Sequence, residues 1–368
     1  MRKLIPLEFL LSLLFLFLFA NCADEPVDTS LDPENLTVEI LSISEETKEV
    51  ELLASALNAT QYQFYLGAET EPAETNQSGL FTHIFPAYGK YEVSVRAYGE
   101  SGKYLKKTVE ILINIPEEQE VSIDQGYSTP LTYEGYTLVW NDEFEGTSLN
   151  TNDWVFEKGA GGWGNNEKQY YRAENTSVGG GLLTIEAKEE VYQGSPYTSS
   201  RIKTQGKKTF QYGRVDIRAL LPKGQGIWPA LWMLGANITS VGWPACGEID
   251  IMEMIGGKGR ENQTHGTLHW DLDGHVQAGG SNTLSEGTFA DAYHVFTLIW
   301  DAYSMKWYVD DVLFHQIDIT PTHMSEFHAP HFFIFNVAVG GNWPGYPDAS
   351  TLFPQKMRVD YIRVFQPN

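Results

Sequence analysis

Gly247-Glu248-Ile249-Asp250-Ile251-Met252-Glu253-Met254 alternates acids with apolar residues and then breaks its own rhythm. In a β-strand, residues two apart share a face, so Glu248 and Asp250 point one way and Ile249 and Ile251 the other. Glu253 is out of phase. One extra residue in a β-bulge restores the phase, and Met252 is the expected insertion, because a bulge adds one residue and re-aims the next side chain. All three acids then face one cleft.

That arrangement has a chemical meaning. Four effective steps at roughly 3.3 Å separate the two glutamate backbones by about 13 Å. Side chains leaning together shorten this towards the ~5–5.5 Å at which one carboxylate attacks an anomeric carbon while the other protonates the leaving oxygen and later activates water. Asp250, between them, would tune the attacking group and keep three like charges from ionising together. Two alternatives exist: acids facing solvent from an edge strand, and a calcium site. The apolar flanks Trp243-Pro-Ala-Cys-Gly247 and Met252, Met254 and Ile255 argue against the first, since an unpaired buried carboxylate is costly to keep without a task. A calcium site normally draws on loop oxygens rather than strand alternation.

Working outward, strand patterns recur in Leu183-Thr-Ile-Glu-Ala187, Gly213-Arg-Val-Asp-Ile-Arg-Ala219 and Val295-Phe-Thr-Leu-Ile-Trp300. In Lys306-Trp-Tyr-Val-Asp310-Asp311-Val-Leu-Phe-His315, the two aspartates suit a hairpin turn, because Asp tolerates the left-handed conformation. Residues 136–368 therefore read as an all-β, two-sheet sandwich of jelly-roll type. A smaller β module is expected over residues 35–115, where Tyr91, Val93, Val95 and Ala97 alternate with polar residues. Residues 116–135, rich in Glu, Pro, Gly and Ser, read as a linker, and 23–34 as a flexible tether.

Composition narrows the partners. Against 25 basic residues stand 48 acidic ones, a formal charge of −23 that repels phosphate backbones and anionic lipid and so excludes nucleic acid as a charge-driven partner. A neutral polymer fits better, and 10 Trp and 19 Tyr supply flat faces on which sugar rings can lie. The two cysteines, Cys22 and Cys246, build no disulfide framework. Residues 1–22 read as a signal peptide: Met1-Arg-Lys3 is positive and residues 9–20 are apolar apart from Ser12. The end of this stretch, Phe19-Ala20-Asn21-Cys22, resembles a bacterial lipoprotein cleavage site. That resemblance implies a lipid anchor on Cys22 and, with Asp24-Glu25 following, an outer-membrane lipoprotein facing the exterior; simple secretion is the alternative. The chain is expected to act as a monomer.

Two family resemblances add to this. Pro86-Ala-Tyr88-Gly89-Lys-Tyr91-Glu-Val93-Ser-Val95 resembles the closing strands of PKD-like, immunoglobulin-like domains, implying a small β-sandwich over residues 35–115. Trp243-Pro-Ala-Cys-Gly-Glu248-Ile-Asp250-Ile-Met-Glu253 resembles the signature of glycoside hydrolase family 16 in its laminarinase-like branch. Matching stretches are Trp163-Gly-Asn165-Asn166-Glu167-Lys-Gln-Tyr170, Gly226-Ile-Trp228-Pro-Ala-Leu-Trp232, Gly266-Thr-Leu-His269-Trp270 and Ala338-Val-Gly-Gly-Asn342-Trp343-Pro-Gly345. The resemblance implies a concanavalin-like β-jelly roll, an endo-acting cleft and a retaining mechanism with Glu248 as nucleophile, Asp250 as its helper and Glu253 as acid/base. The inserted residue favours laminarin-type β-1,3-glucan; mixed-linkage glucan, an agar- or porphyran-type galactan and a non-catalytic sugar-binding jelly roll are the alternatives.

Trp228, Trp232 and Trp243 are candidates for sugar stacking, with core packing as the alternative for each. His269 is expected beside the acids, and Asn166 and Arg201 on sugar hydroxyls. His265, four before His269, lacks a third ligand at a spacing that would suggest zinc. No cofactor is expected for catalysis. The family resemblance further implies a structural calcium at Glu143, Gly181 and Asp360, held largely by main-chain carbonyls.

Overall fold

A computed structural model describes residues 31–45, 47–86, 88–114 and 121–368. The signal peptide, Cys22 and the first part of the tether lie outside the described residues. The chain divides into two units, Met1–Pro116 and Glu117–Asn368.

In the first unit, Val93, Val95 and Ala97 do face a core, and Tyr91 packs against it. Their strand, Gly89–Gly99, joins Glu74–Asn76, Ala59–Leu66 and Tyr104–Ile113 in a four-stranded sheet, while Glu34–Ser44, Glu49–Leu57 and Leu80–Ile84 form a second sheet of three. Val50, Leu52, Phe64, Phe81 and Ile111 complete one buried cluster that draws on both sheets. Two sheets thus share one core in this unit.

The second unit is built from two larger sheets, of ten and seven strands among the described residues. Gly213–Leu220, His294–Trp300 and the hairpin Ser304–Val309/Val312–Asp318 lie in the ten-stranded sheet, where the patterns of alternation placed strands. Asp310 and Asp311 take φ of 51° and 62°, the left-handed pair that a tight hairpin turn demands. The seven-stranded sheet carries the acidic strand Glu248–Glu253 between Ile227–Gly235 and Gln263–Asp271. Ile249, Leu231, Met233, Leu268, Phe333, Phe335 and Val337 send their side chains from it into the main core, against Ile217, Leu298 and Trp307 of the other sheet. The opposite face of the seven-stranded sheet is left for the cleft.

The stretch expected as a linker is in part a surface strap of this unit. From residue 121 onwards its main chain serves a buried cation: Arg218 donates to the carbonyls of Ile123, Gln125 and Tyr127 at 2.8, 2.9 and 2.5 Å. Gly126 bridges Tyr293, and a Cβ there would sit 1.9 Å from the Tyr293 carbonyl oxygen, so only glycine fits. Composition flagged a loop; it carried no sign that the loop's carbonyls would solvate an arginine.

The bulge exists, one residue earlier than expected. Against Ile227–Gly235 the register runs Glu248 to Leu234, Asp250 to Trp232, Met252 to Leu231 and Glu253 to Ala230, so Ile251 is the residue without a partner. Against Gln263–Asp271, both Ile251 and Met252 fall in the gap between the Asp250–Thr267 and Glu253–His265 pairs. Both side chains are buried in the main core. Two consecutive residues facing inward are what a bulge produces, and hydrophobicity alone does not say which of the two is extra.

Candidate active site

The partners of the two glutamates on the neighbouring strand, Leu234 and Ala230, are four residues apart, so the backbones are separated by about 13 Å. Both side chains nevertheless line one cleft of about 840 Å³ together with Asp250. Each glutamate receives a tryptophan. The indole Nε1 of Trp243 donates to Glu248 Oε2 at 3.0 Å, and that of Trp228 donates to Glu253 Oε1 at 3.0 Å. These rings therefore do more than pack: each places a donor on a carboxylate and leaves a face to the cleft, Trp243 being 49% exposed.

Asp250 is buried between them. His269, directly opposite Glu248 on the next strand, brings Nε2 within 3.1 Å of Asp250 Oδ2 and 3.7 Å of Glu248 Oε1. Its other ring nitrogen, Nδ1, is 2.8 Å from His275 Nε2, and the Trp243 ring lies over His275 with centroids 4.6 Å apart.

Burial is the main cause of the electrostatic state of this trio. It pushes Glu248 up to about 8, with the charge of Asp250 adding to the effect. Burial pushes Asp250 up to about 8 as well. Glu253 is raised well above the ordinary carboxylate range, by burial first and then by the charges of Asp250 and Glu248. Three carboxylates at this depth cannot all ionise together, so the cleft holds at least one of them protonated.

Trp232 donates to Asn336 Oδ1 at 2.8 Å, and Asn336 in turn donates to the Tyr171 hydroxyl at 3.2 Å. Arg201 lies between the rings of Trp163 and Trp232, its guanidinium 4.9 and 4.8 Å from their centroids, and is paired with Glu157. Both reach the cleft wall as expected. Asn166 does not. It adopts φ 60° in a turn, and its side chain donates to Asn342 at 2.8 Å; its neighbour Asn165 lines the cleft instead. His265 lines the cleft beside Glu253, edge-on to Trp343 at 5.0 Å. Trp163, Asn165, His275, Asn336 and Trp343 are site residues that the reading of single strands missed. Trp163, Asn165 and Trp343 lie in stretches that carry the family resemblance, whereas His275 and Asn336 had no such signal.

The expected calcium donors lie elsewhere, and three of the four carboxylate oxygens on Glu143 and Asp360 accept from arginines. Both carboxylate oxygens of Glu143 accept from Arg363, at 2.9 and 2.7 Å, and Asp360 Oδ2 accepts from Arg218 at 2.6 Å. Gly181 takes φ 76° nearby in sequence to the strand Leu182–Tyr192. With its acids neutralised by arginines, this group does not fit a calcium cage made from carboxylates.

A jelly-roll sandwich whose cleft holds two indole-bonded glutamates flanking a buried aspartate, walled by tryptophans, defines a glycoside hydrolase. The family model for glycosyl hydrolases family 16 matches residues 163–363, and the chain belongs to that family. The Rhodothermus marinus protein named beta-glucanase is 41% identical over 251 residues, spanning 63% of this chain and 85% of that protein. The clotting factor G alpha subunit of Tachypleus tridentatus is also 41% identical, over 235 residues, but the match spans only 34% of its length. Among solved structures, the laminarinase catalytic domain from Thermotoga maritima is similar over 64% of this chain and all of that one, at 45% identity and a TM-score of 0.59.

Proposed function

We propose that this chain is an endo-acting, retaining glycoside hydrolase that cuts internal β-1,3 linkages of laminarin-type glucan. The observation that carries it is the bulged strand, which turns Glu253 onto the face of Glu248 inside a tryptophan-walled cleft. The surroundings of each glutamate support the division of roles. Glu248, with an indole donor from Trp243 and His269 close by, is the more readily ionised and attacks the anomeric carbon. Glu253, whose pKa is raised by burial, holds a proton, gives it to the leaving oxygen, and takes one from water when the glycosyl-enzyme ester is hydrolysed. Asp250 holds the charge balance between them. No cofactor enters this scheme.

Glucan as the substrate is supported by the Rhodothermus and Thermotoga relatives and by a cleft in which Arg201, the one lysine or arginine lining it among the described residues, is already paired with Glu157. A sulfated polymer would find little free positive charge there. The test is to incubate the chain with laminarin, mixed-linkage glucan, agarose and porphyran and identify the products. Laminari-oligosaccharides of several lengths from laminarin support the reading; release from a galactan alone overturns it.

We propose too that the chain is displayed on the outer membrane through a lipidated Cys22, as a monomer. A Cys22→Ala variant should move from the membrane fraction to the medium. A structural calcium would have to rest on Asp360 Oδ1 and main-chain carbonyls; an unchanged melting temperature in EDTA dismisses it.

A further inference from the structure

We propose that the same carboxylates, with His269, form a binding site for a zinc-type transition-metal ion that blocks the cleft reversibly. Glu248, Asp250 and His269 each offer a donor atom, and these atoms lie within 4.8 Å of one another. A tetrahedral zinc ion with bonds of 2.0–2.1 Å holds its ligand atoms about 3.3 Å apart. His269 Nε2 stands 3.1 Å from Asp250 Oδ2 and 3.7 Å from Glu248 Oε1, on either side of that edge length.

Two further observations point to a ligand. Asp250 Oδ2, on a side chain only 4% exposed, has His269 Nε2 3.1 Å away but no well-aligned hydrogen bond. Such an oxygen is costly to bury and is satisfied by a cation. Secondly, His269 Nδ1 is held by His275 Nε2 at 2.8 Å. When Nδ1 carries the hydrogen, Nε2 presents a lone pair to the acids, the orientation by which a metal-ligating histidine is fixed from behind. One imidazole and two carboxylates suit zinc; calcium and magnesium want six or more oxygens. All three residues line the cleft, from which an ion would enter.

The inhibition rests on Glu248 being the nucleophile, whereas the binding does not. Isothermal titration of the full chain with zinc chloride should show one site per chain. His269→Gln and Glu248→Gln should each weaken it at least tenfold, and His275→Phe roughly 10–100-fold through loss of the backing bond. Laminari-oligosaccharide should compete with the metal, and X-ray absorption should show nitrogen and oxygen neighbours without sulfur. Affinity unchanged in all three variants, or a sulfur-bound ion, would overturn the site. Zinc bound at the site while laminarin hydrolysis continues at full rate would instead remove Glu248 from the mechanism and leave the metal site standing.

Discussion

The indole Nε1 of Trp307, in the ten-stranded sheet, donates across the core to the main-chain carbonyl of Asp250 at 2.8 Å. That carbonyl belongs to the residue just before the bulge, where the ladder is interrupted. The opposite sheet thus places a donor on the main chain at the edge of the bulge and holds it from below. Trp307→Phe keeps the ring volume near and removes the donor. Leaving a buried carbonyl unpaired costs about 1–3 kcal/mol, so the melting temperature should fall, and kcat should fall with it as Glu253 loses its fixed direction. A variant with unchanged melting and turnover would show that the bulge holds itself.

Gly266 faces the same indole. A Cβ there would lie 2.4 Å from Trp307 Cδ1, in a fully buried setting. Gly266→Ala should destabilise the chain by about 1–3 kcal/mol, measurable in urea unfolding, because the rigid ring has to move from beneath the bulge.

The raised pKa values set the pH profile. Activity should climb as pH rises through the elevated value of Glu248 and fall once Glu253 ionises, with the optimum above the ordinary carboxylate range. The charge of Asp250 raises both glutamates. Asp250→Asn removes it, so both limbs of the kcat/KM profile should move to lower pH, whereas a purely structural role for Asp250 would lower the curve without moving it.

How far the sequence carried this account depends on the length scale of each signal. Period-two alternation made the strands around Val93, Ile217 and Leu298 legible, because burial on one face is a local property. The need for a bulge was legible for the same reason, as a phase error between Asp250 and Glu253. Its position at Ile251 was not, since Ile251 and Met252 are equally apolar and register is settled by Trp232 and Thr267 on other strands. Asn165 and Asn166 differ only in turn geometry. His275, Asn336 and Trp307 reach the site from strands distant in sequence, so no local pattern could name them. The two arginines that pair with Glu143 and Asp360 are likewise non-local.

Stability should also respond to pH through His331, which is fully buried and donates from Nδ1 to the Ala329 carbonyl at 2.9 Å or accepts nothing there. Burial pushes it down to about 4 from an ordinary value of 6.5. Its contribution is therefore complete above pH 6.5 and is lost as pH falls towards 4, by up to roughly 3 kcal/mol. Glu248 has the opposite sign: with its pKa raised to about 8, stability is complete below the usual carboxylate value and is lost as pH rises through 8. Thermal melts of His331→Phe should flatten the acid side of the stability curve, and those of Glu248→Gln the alkaline side.

The central claim is that the bulge lets Glu248 attack while Glu253 assists. A 2-fluoro-substituted laminaribiosyl fluoride slows release of the glycosyl-enzyme, and mass spectrometry of its peptides reads where the sugar is attached. An ester on Glu248, absent from Glu248→Gln and still formed by Glu253→Gln with this activated leaving group, is the predicted result. A sugar carried by any other residue, or none on an enzyme that still cleaves laminarin, would contradict the account.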